Sequence, residues 1–188
     1  MILSGLLKVA VKSFPQFGEL EIVQATDGVV ALRTYVDRID ALARSGQKVC
    51  DDTLRVRDNL KSLLATADGV VDDCESTLLA AWEELQSSGA TRHRTTAGTT
   101  SARSPVIYDI VFTDACMPVL SGAGFTRLLR RVVDSPGRPQ VIVGTTASVQ
   151  RTDLLRYFSA GMDAVLSKPL MLDALRQCIA KMCGIPAA

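Results

Sequence analysis

Asp114, Thr146 and Lys168 are the residues of this chain whose types and placement could do chemistry together. Asp114 closes an apolar run, Ile110-Val111-Phe112, within the stretch Tyr108 to Gly122, YDIVFTDACMPVLSG. Val141-Ile142-Val143 runs into Thr145-Thr146-Ala147, and Ala164-Val165-Leu166 runs into Ser167-Lys168-Pro169. Short apolar runs bounded by polar and turn residues read as buried strands. Open α/β sheets keep their ligands at the C-terminal edges of such strands. An acid, a hydroxyl and a cation at one edge can hold a phosphorylated carboxylate. The acid is the nucleophile, and the other two bind the phosphoryl oxygens.

The elements that must position these groups follow from periodicity. Strands are predicted over 107–113, 140–144 and 163–167, with helices over about 123–133, 149–160 and 170–183 and a Pro/Gly loop at 135–139. Gly161 falls where a helix C-cap glycine belongs. Upstream, residues 2–13 carry apolar side chains at helical spacing, closed by Pro15 and Gly18. Residues 20–25 read as a strand, Asp27-Gly28 as a turn, and Val29 to Tyr35 as a second helix. Helical patterns return over 49–66 and 70–86. In the second of these, Val70, Cys74, Leu78, Trp82 and Leu85 make one apolar face. Asp68-Gly69 either separates the two helices or weakens one long one. Residues 87–105 are rich in Ser, Thr, Gly and Ala and read as a flexible linker. His93, between Arg92 and Arg94 in that linker, reads as a solvated loop histidine and not a phosphodonor.

In these motifs the chain resembles the response-regulator receiver domains of two-component phosphorelays, strongly over about 106–183 and moderately over 2–36. Asp114, Met117, Pro118 and Gly122 resemble the family's phosphoacceptor loop, with Cys116 inside it. Thr146-Ala147 is similar to its switch hydroxyl and small neighbour, with Thr145 as a competitor. Lys168-Pro169 is similar to its lysine and following proline, and that bond is a candidate cis peptide. The resemblance implies an α/β, flavodoxin-like three-layer sandwich with a parallel sheet, incomplete at its N-terminus, plus an inserted helical hairpin. The division is 1–36 and 106–188 for the two parts of the receiver and 37–105 for the insertion and linker. Such an insertion is expected to carry few core contacts and to be separable.

Two features depart from the family. Receivers open on a strand ending in two adjacent acids that help bind magnesium. Here only Met1 precedes the first helix. Asp114 and the backbone carbonyl of Cys116 would then be the remaining ligands. Magnesium demands near-octahedral oxygen ligation and binds a lone carboxylate weakly, so the Mg²⁺ cofactor that the resemblance implies is not expected to bind well. Asp72-Asp73, after Gly69-Val70-Val71, resembles a displaced acid pair; the plainer reading puts both acids early in a helix, on its solvent face. Asp51-Asp52 is a weaker candidate pair. The second departure is Val165, at a position where many receivers carry a rotating aromatic.

Bulk properties narrow the function classes. With 188 residues and 47% apolar content, one domain with an elaboration can bury a core. A net charge of +1 argues against general nucleic-acid binding. The five cysteines lack paired metal spacing, which suits a reduced, cytoplasmic protein. No apolar run reaches the ~18 residues that span a bilayer, and the N-terminus lacks the basic start of a signal peptide. The function that the resemblance implies is non-enzymatic: a degenerate receiver accepting a phosphoryl group on Asp114 from a histidine kinase or histidine phosphotransfer protein. The alternative is a non-phosphorylated pseudo-receiver that serves as a docking module, with a homodimer among its candidate assemblies. A third reading is an incomplete copy whose start lies upstream.

Overall fold

The computed structural model describes residues 2–46, 49–67, 73–88, 107–132 and 140–185. Seven helices and three strands are assigned among them. In chain order they are α1 (Ile2–Val11), α2 (Gly28–Arg44), α3 (Asp51–Ala67), α4 (Cys74–Ser87), β1 (Ile110–Asp114), α5 (Gly122–Val132), β2 (Val141–Thr146), α6 (Arg151–Ser159), β3 (Ala164–Ser167) and α7 (Leu172–Met182). The strands form one parallel sheet in the order β1-β2-β3.

Side chains on a strand alternate between faces, and β1 divides the core accordingly. Ile110 and Phe112 pack with Leu166 of β3 against α1 and α7, around Ala10, Phe14, Leu175 and Ile179. Val111 faces the other way, with Ile142 and Val165, onto a larger cluster built from α2, α3, α4, α5 and α6. The result is helices, sheet, helices. The first and last helices, α1 and α7, thus share one face of the sheet.

Each helix follows from its apolar spacing. In α2, Leu32, Tyr35, Val36 and Ile39 are buried at i, i+3, i+4 and i+7, which is one helical stripe. Asp27 caps it, its carboxylate accepting from the amides of Val29 at 2.8 Å and Val30 at 2.9 Å. The stripe continues past Tyr35, so α2 runs on to Arg44, beyond the sequence expectation. Leu60, Leu63 and Leu64 of α3 and Cys74, Leu78 and Trp82 of α4 bury into the same cluster as Tyr35 and Phe125. The expectation that the insertion carries few core contacts is therefore not met. Glu75 of α4 pairs with Arg127 of α5, tying the hairpin to the site-bearing half of the chain.

The strand expected over 20–25 is not formed. The reason is a missing partner. A strand needs a neighbour for its backbone N–H and C=O groups, and no strand lies beside this segment among the described residues. Glu21 instead pairs with Arg38 of α2 at 2.8 Å. α4 starts at Cys74, later than periodicity suggests, because Asp73 before it holds a left-handed backbone with φ 52°. The expected strand-like segment 69–71, Asp72, most of the linker with His93, and the 135–139 loop lie outside the described residues.

Asp40 joins α2 to α3 through Lys61 at 2.9 Å and Arg57 at 3.2 Å. Its carboxyl is held below the ordinary carboxylate range, first by the hydrogen bond from Lys61. A depressed carboxyl stabilises the fold above its unfolded-state value, and the gain is lost as pH falls through the folded value. Asp40→Asn is thus expected to cost about 0.5 kcal/mol near neutral pH, the worth of a solvent-screened pair. Urea melts of both proteins should converge only as pH falls below that depressed folded-state value, where either side chain is neutral.

Candidate functional site

Strand register brings the predicted residues to one edge. Asp114, the last residue of β1, lies opposite Thr145 of β2, and Thr146 lies opposite Ser167 of β3. The amide of Ala115 donates to the Thr145 carbonyl at 2.8 Å, and that of Lys168 to the Thr146 carbonyl at 2.7 Å. These bonds carry the ladder past the strand ends and fix where the two loops leave the sheet. The Lys168-Pro169 peptide bond is cis.

Asp114 and Lys168 meet directly. The Lys168 ammonium donates to Asp114 Oδ2, while the amide of Cys116 donates to Oδ1 at 3.1 Å. Both side chains keep more than a third of their surface in water, at 36% for Asp114 and 41% for Lys168. The carboxylate is thus reachable from solvent with a positive charge beside it.

The loop after Asp114 turns under tight constraint. Gly122 donates its amide to the Ala115 carbonyl at 3.3 Å. A Cβ at Gly122 would stand 2.1 Å from the Asp114 carbonyl oxygen, so only glycine allows α5 to start this close to β1. Ser121 accepts from the Gly124 amide at 3.1 Å and begins the helix. Cys116 and Pro118 are exposed and Met117 is half-buried, so this loop forms the rim.

The two threonines of β2 differ. Thr145 donates its hydroxyl to the Thr113 carbonyl at 3.3 Å, within the sheet. Thr146 is buried, and its Oγ1 bonds both the amide and the carbonyl of Ser148 at 3.1 Å. It also meets the phenol of Tyr157 at 3.3 Å. Ala147, next to it, is exposed. Sequence reasoning missed Tyr157. Its position on a helical apolar face predicts burial, but nothing in the spacing says that its hydroxyl reaches the end of β2.

The described residues do not fit a magnesium ion. No group of three His, Cys, Asp or Glu side chains that could hold a metal occurs among them. Asp73 is exposed just ahead of α4, and Asp72 lies outside the described residues. Asp51 and Asp52 are exposed in the first turn of α3, where Asp52 pairs with Arg55. The Asp114 carboxylate is paired with Lys168. Elsewhere, burial pushes the thiols of Cys74 and Cys178 up, whereas Cys116 is exposed at the site rim.

The chain belongs to the response regulator receiver domain family, whose model matches residues 48–180. Members are the signalling modules of phosphorelays. The chain is 36% identical over 81 residues to the sensor histidine kinase AruS of Pseudomonas aeruginosa, covering 43% of this chain and 8% of that protein. It is 41% identical over 73 residues to the virulence sensor protein BvgS of Bordetella pertussis, covering 37% of this chain and 6% of that protein. It is 39% identical over 72 residues to the sensor histidine kinase RcsC of Salmonella typhi, covering 38% and 7%. The chain therefore spans under a tenth of the length of these relatives. A similar solved structure is the receiver domain of the sensor histidine kinase PA1611 from Pseudomonas aeruginosa, which carries a magnesium ion in its active-site cleft. That likeness has a TM-score of 0.48 at 17% identity, covering 97% of this chain and 89% of that one. No helix among the described residues is long and apolar enough to cross a membrane.

Proposed function

We propose that Asp114 accepts a phosphoryl group from a phosphohistidine on a histidine kinase or histidine phosphotransfer protein in the cytoplasm. The supporting observation is the meeting of Asp114 and Lys168 at the C-terminal ends of β1 and β3, with Thr146 on the strand between them. An Asp114 carboxylate oxygen forms the new P–O bond while the P–N bond to the donor imidazole breaks. The imidazole leaves with that electron pair. The Lys168 ammonium, already beside Oδ2, neutralises the charge on the phosphoryl oxygens. Thr146 offers a hydroxyl to another of them. Cys116, Met117, Pro118, Gly122, Ala147 and Pro169 shape the loops around this centre and take no part in bond making.

The reaction needs little from the protein besides position and charge, and Asp114 has both. Among the described residues no group of three metal-ligating side chains includes it, so no step is assigned to magnesium. This same gap favours the second reading, a pseudo-receiver that docks partners without being phosphorylated. In that reading the Asp114–Lys168 pair is a permanent tie between β1 and the loop after β3.

The experiment is phosphotransfer from a phosphorylated histidine phosphotransfer domain, followed by intact-mass analysis. One phosphoryl group is expected, lost at alkaline pH as an acyl phosphate is, and absent in Asp114→Asn. A wild-type chain that takes no phosphoryl group from any such donor, or an Asp114→Asn chain that still takes one, overturns the assignment.

A further inference from the structure

We infer that Tyr157 is a positioning residue for Thr146, holding its hydroxyl at rest and passing its movement to α6. The inference rests on the phosphoacceptor reading of Asp114. It starts from the capacity of one hydroxyl, which has a single proton to donate and two lone pairs to accept with. Thr146 Oγ1 has all three uses engaged. It accepts from the Ser148 amide at 3.1 Å, meets the Ser148 carbonyl at 3.1 Å, and meets the Tyr157 phenol at 3.3 Å. One self-consistent arrangement has the phenol donating to Thr146 and Thr146 donating to Ser148. A phosphoryl oxygen on Asp114 can then gain the Thr146 proton only if the Ser148 bond is given up.

Tyr157 makes that exchange visible beyond the site. It is the one buried residue of α6, at 5% exposure, and Thr146 is at 1%. Among the described residues its phenol has no second partner. A buried hydroxyl that loses its partner must find another or move. Tyr157 is anchored in the larger core with Ala160 and Met162, so its displacement would be felt along α6. The other side of that helix is open to water, with Leu155 at 57% and Phe158 at 50% exposure. Ser148 joins the same helix through Asp153, to which its hydroxyl donates. Two of the residues that meet Thr146 therefore lead to α6. Val165, half-buried on β3, has no polar atom with which to sense Thr146.

The direction of the effect follows. Reaching a phosphoryl oxygen draws Thr146 away from the phenol, so the Thr146–Tyr157 bond holds the resting state and removing it should favour the phosphorylated state. Tyr157→Phe keeps the ring and deletes only the hydroxyl. Equilibrium between the phosphohistidine donor and Asp114 is expected to shift toward Asp114 by on the order of three- to tenfold, the worth of one hydrogen bond. Amide hydrogen exchange along residues 151–159 should change on phosphorylation of the wild type and not of Tyr157→Phe. In a Thr146→Val background, Tyr157→Phe should have no further effect on the equilibrium. If the wild type is phosphorylated but Tyr157→Phe matches it in equilibrium and in α6 exchange, the inference is overturned while the phosphoacceptor reading stands. If the wild type takes no phosphoryl group, that reading fails and the inference with it.

Discussion

Excising residues 38–104 and closing the gap with a short glycine-containing link is expected to unfold the chain. The segment contains α3 and α4, and these are not an appendage. Leu60, Leu63 and Leu78 are fully buried, and Leu64, Ala67, Cys74 and Trp82 lie in the same cluster as Tyr35, Phe125 and Ile142. Truncating one buried leucine costs about 2–5 kcal/mol, and a domain's whole stability is about 5–15 kcal/mol. Removing all these side chains together exceeds that margin. It would also strip Arg127 of its Glu75 partner and uncover Leu128 and Leu129 of α5. The deleted chain should show no cooperative urea transition by circular dichroism, and Leu63→Ala alone should lower stability by about 2–5 kcal/mol. A deletion that retains a cooperative transition would mean that β1, β2 and β3 with α1, the remaining 28–37 part of α2, α5, α6 and α7 hold a core without the hairpin.

That outcome corrects a sequence expectation, and the reason is instructive. Leu60, Leu63 and Leu64 announce a helix with one apolar face, but spacing does not say what that face meets. The polar tract after α4 made the whole segment look like a surface excursion. By contrast β1, β2 and β3 were legible because a strand buried on both faces is a continuous apolar run. Asp114, Thr146 and Lys168 were legible because each directly follows or ends such a run. The strand expected over 20–25 was misjudged because a strand is defined by its neighbour, and local sequence cannot show whether the neighbour exists. Tyr157 was illegible for a related reason: its hydroxyl partner lies on another element, and only the packing of α6 beneath the end of β2 brings Thr146 within 3.3 Å.

Magnesium is expected to bind this chain weakly and to speed phosphorylation by a small donor such as acetyl phosphate only slightly. The argument counts carboxylates. Asp114 belongs to no group of three metal-ligating side chains among the described residues, and Lys168 already pairs with it. A small divalent ion that sheds water reluctantly needs more oxygen ligands and more negative charge than that. Two acid pairs could alter the count. The family match opens at residue 48, just ahead of Asp51-Asp52, which makes that pair the first to test. Asp72-Asp73 is the second. Asp51 and Asp52 are exposed in the first turn of α3 and Asp73 is exposed ahead of α4, and none of these three joins Asp114 in a group of metal-ligating side chains among the described residues. The wild type, Asp51→Asn/Asp52→Asn and Asp72→Ala/Asp73→Ala should therefore show the same weak magnesium dependence in a mass-shift assay at Asp114. A strong dependence lost only in Asp51→Asn/Asp52→Asn would overturn the count and show that α3 can take the place α1 holds beside α7. A strong dependence lost only in Asp72→Ala/Asp73→Ala would assign the ligands to the segment ahead of α4.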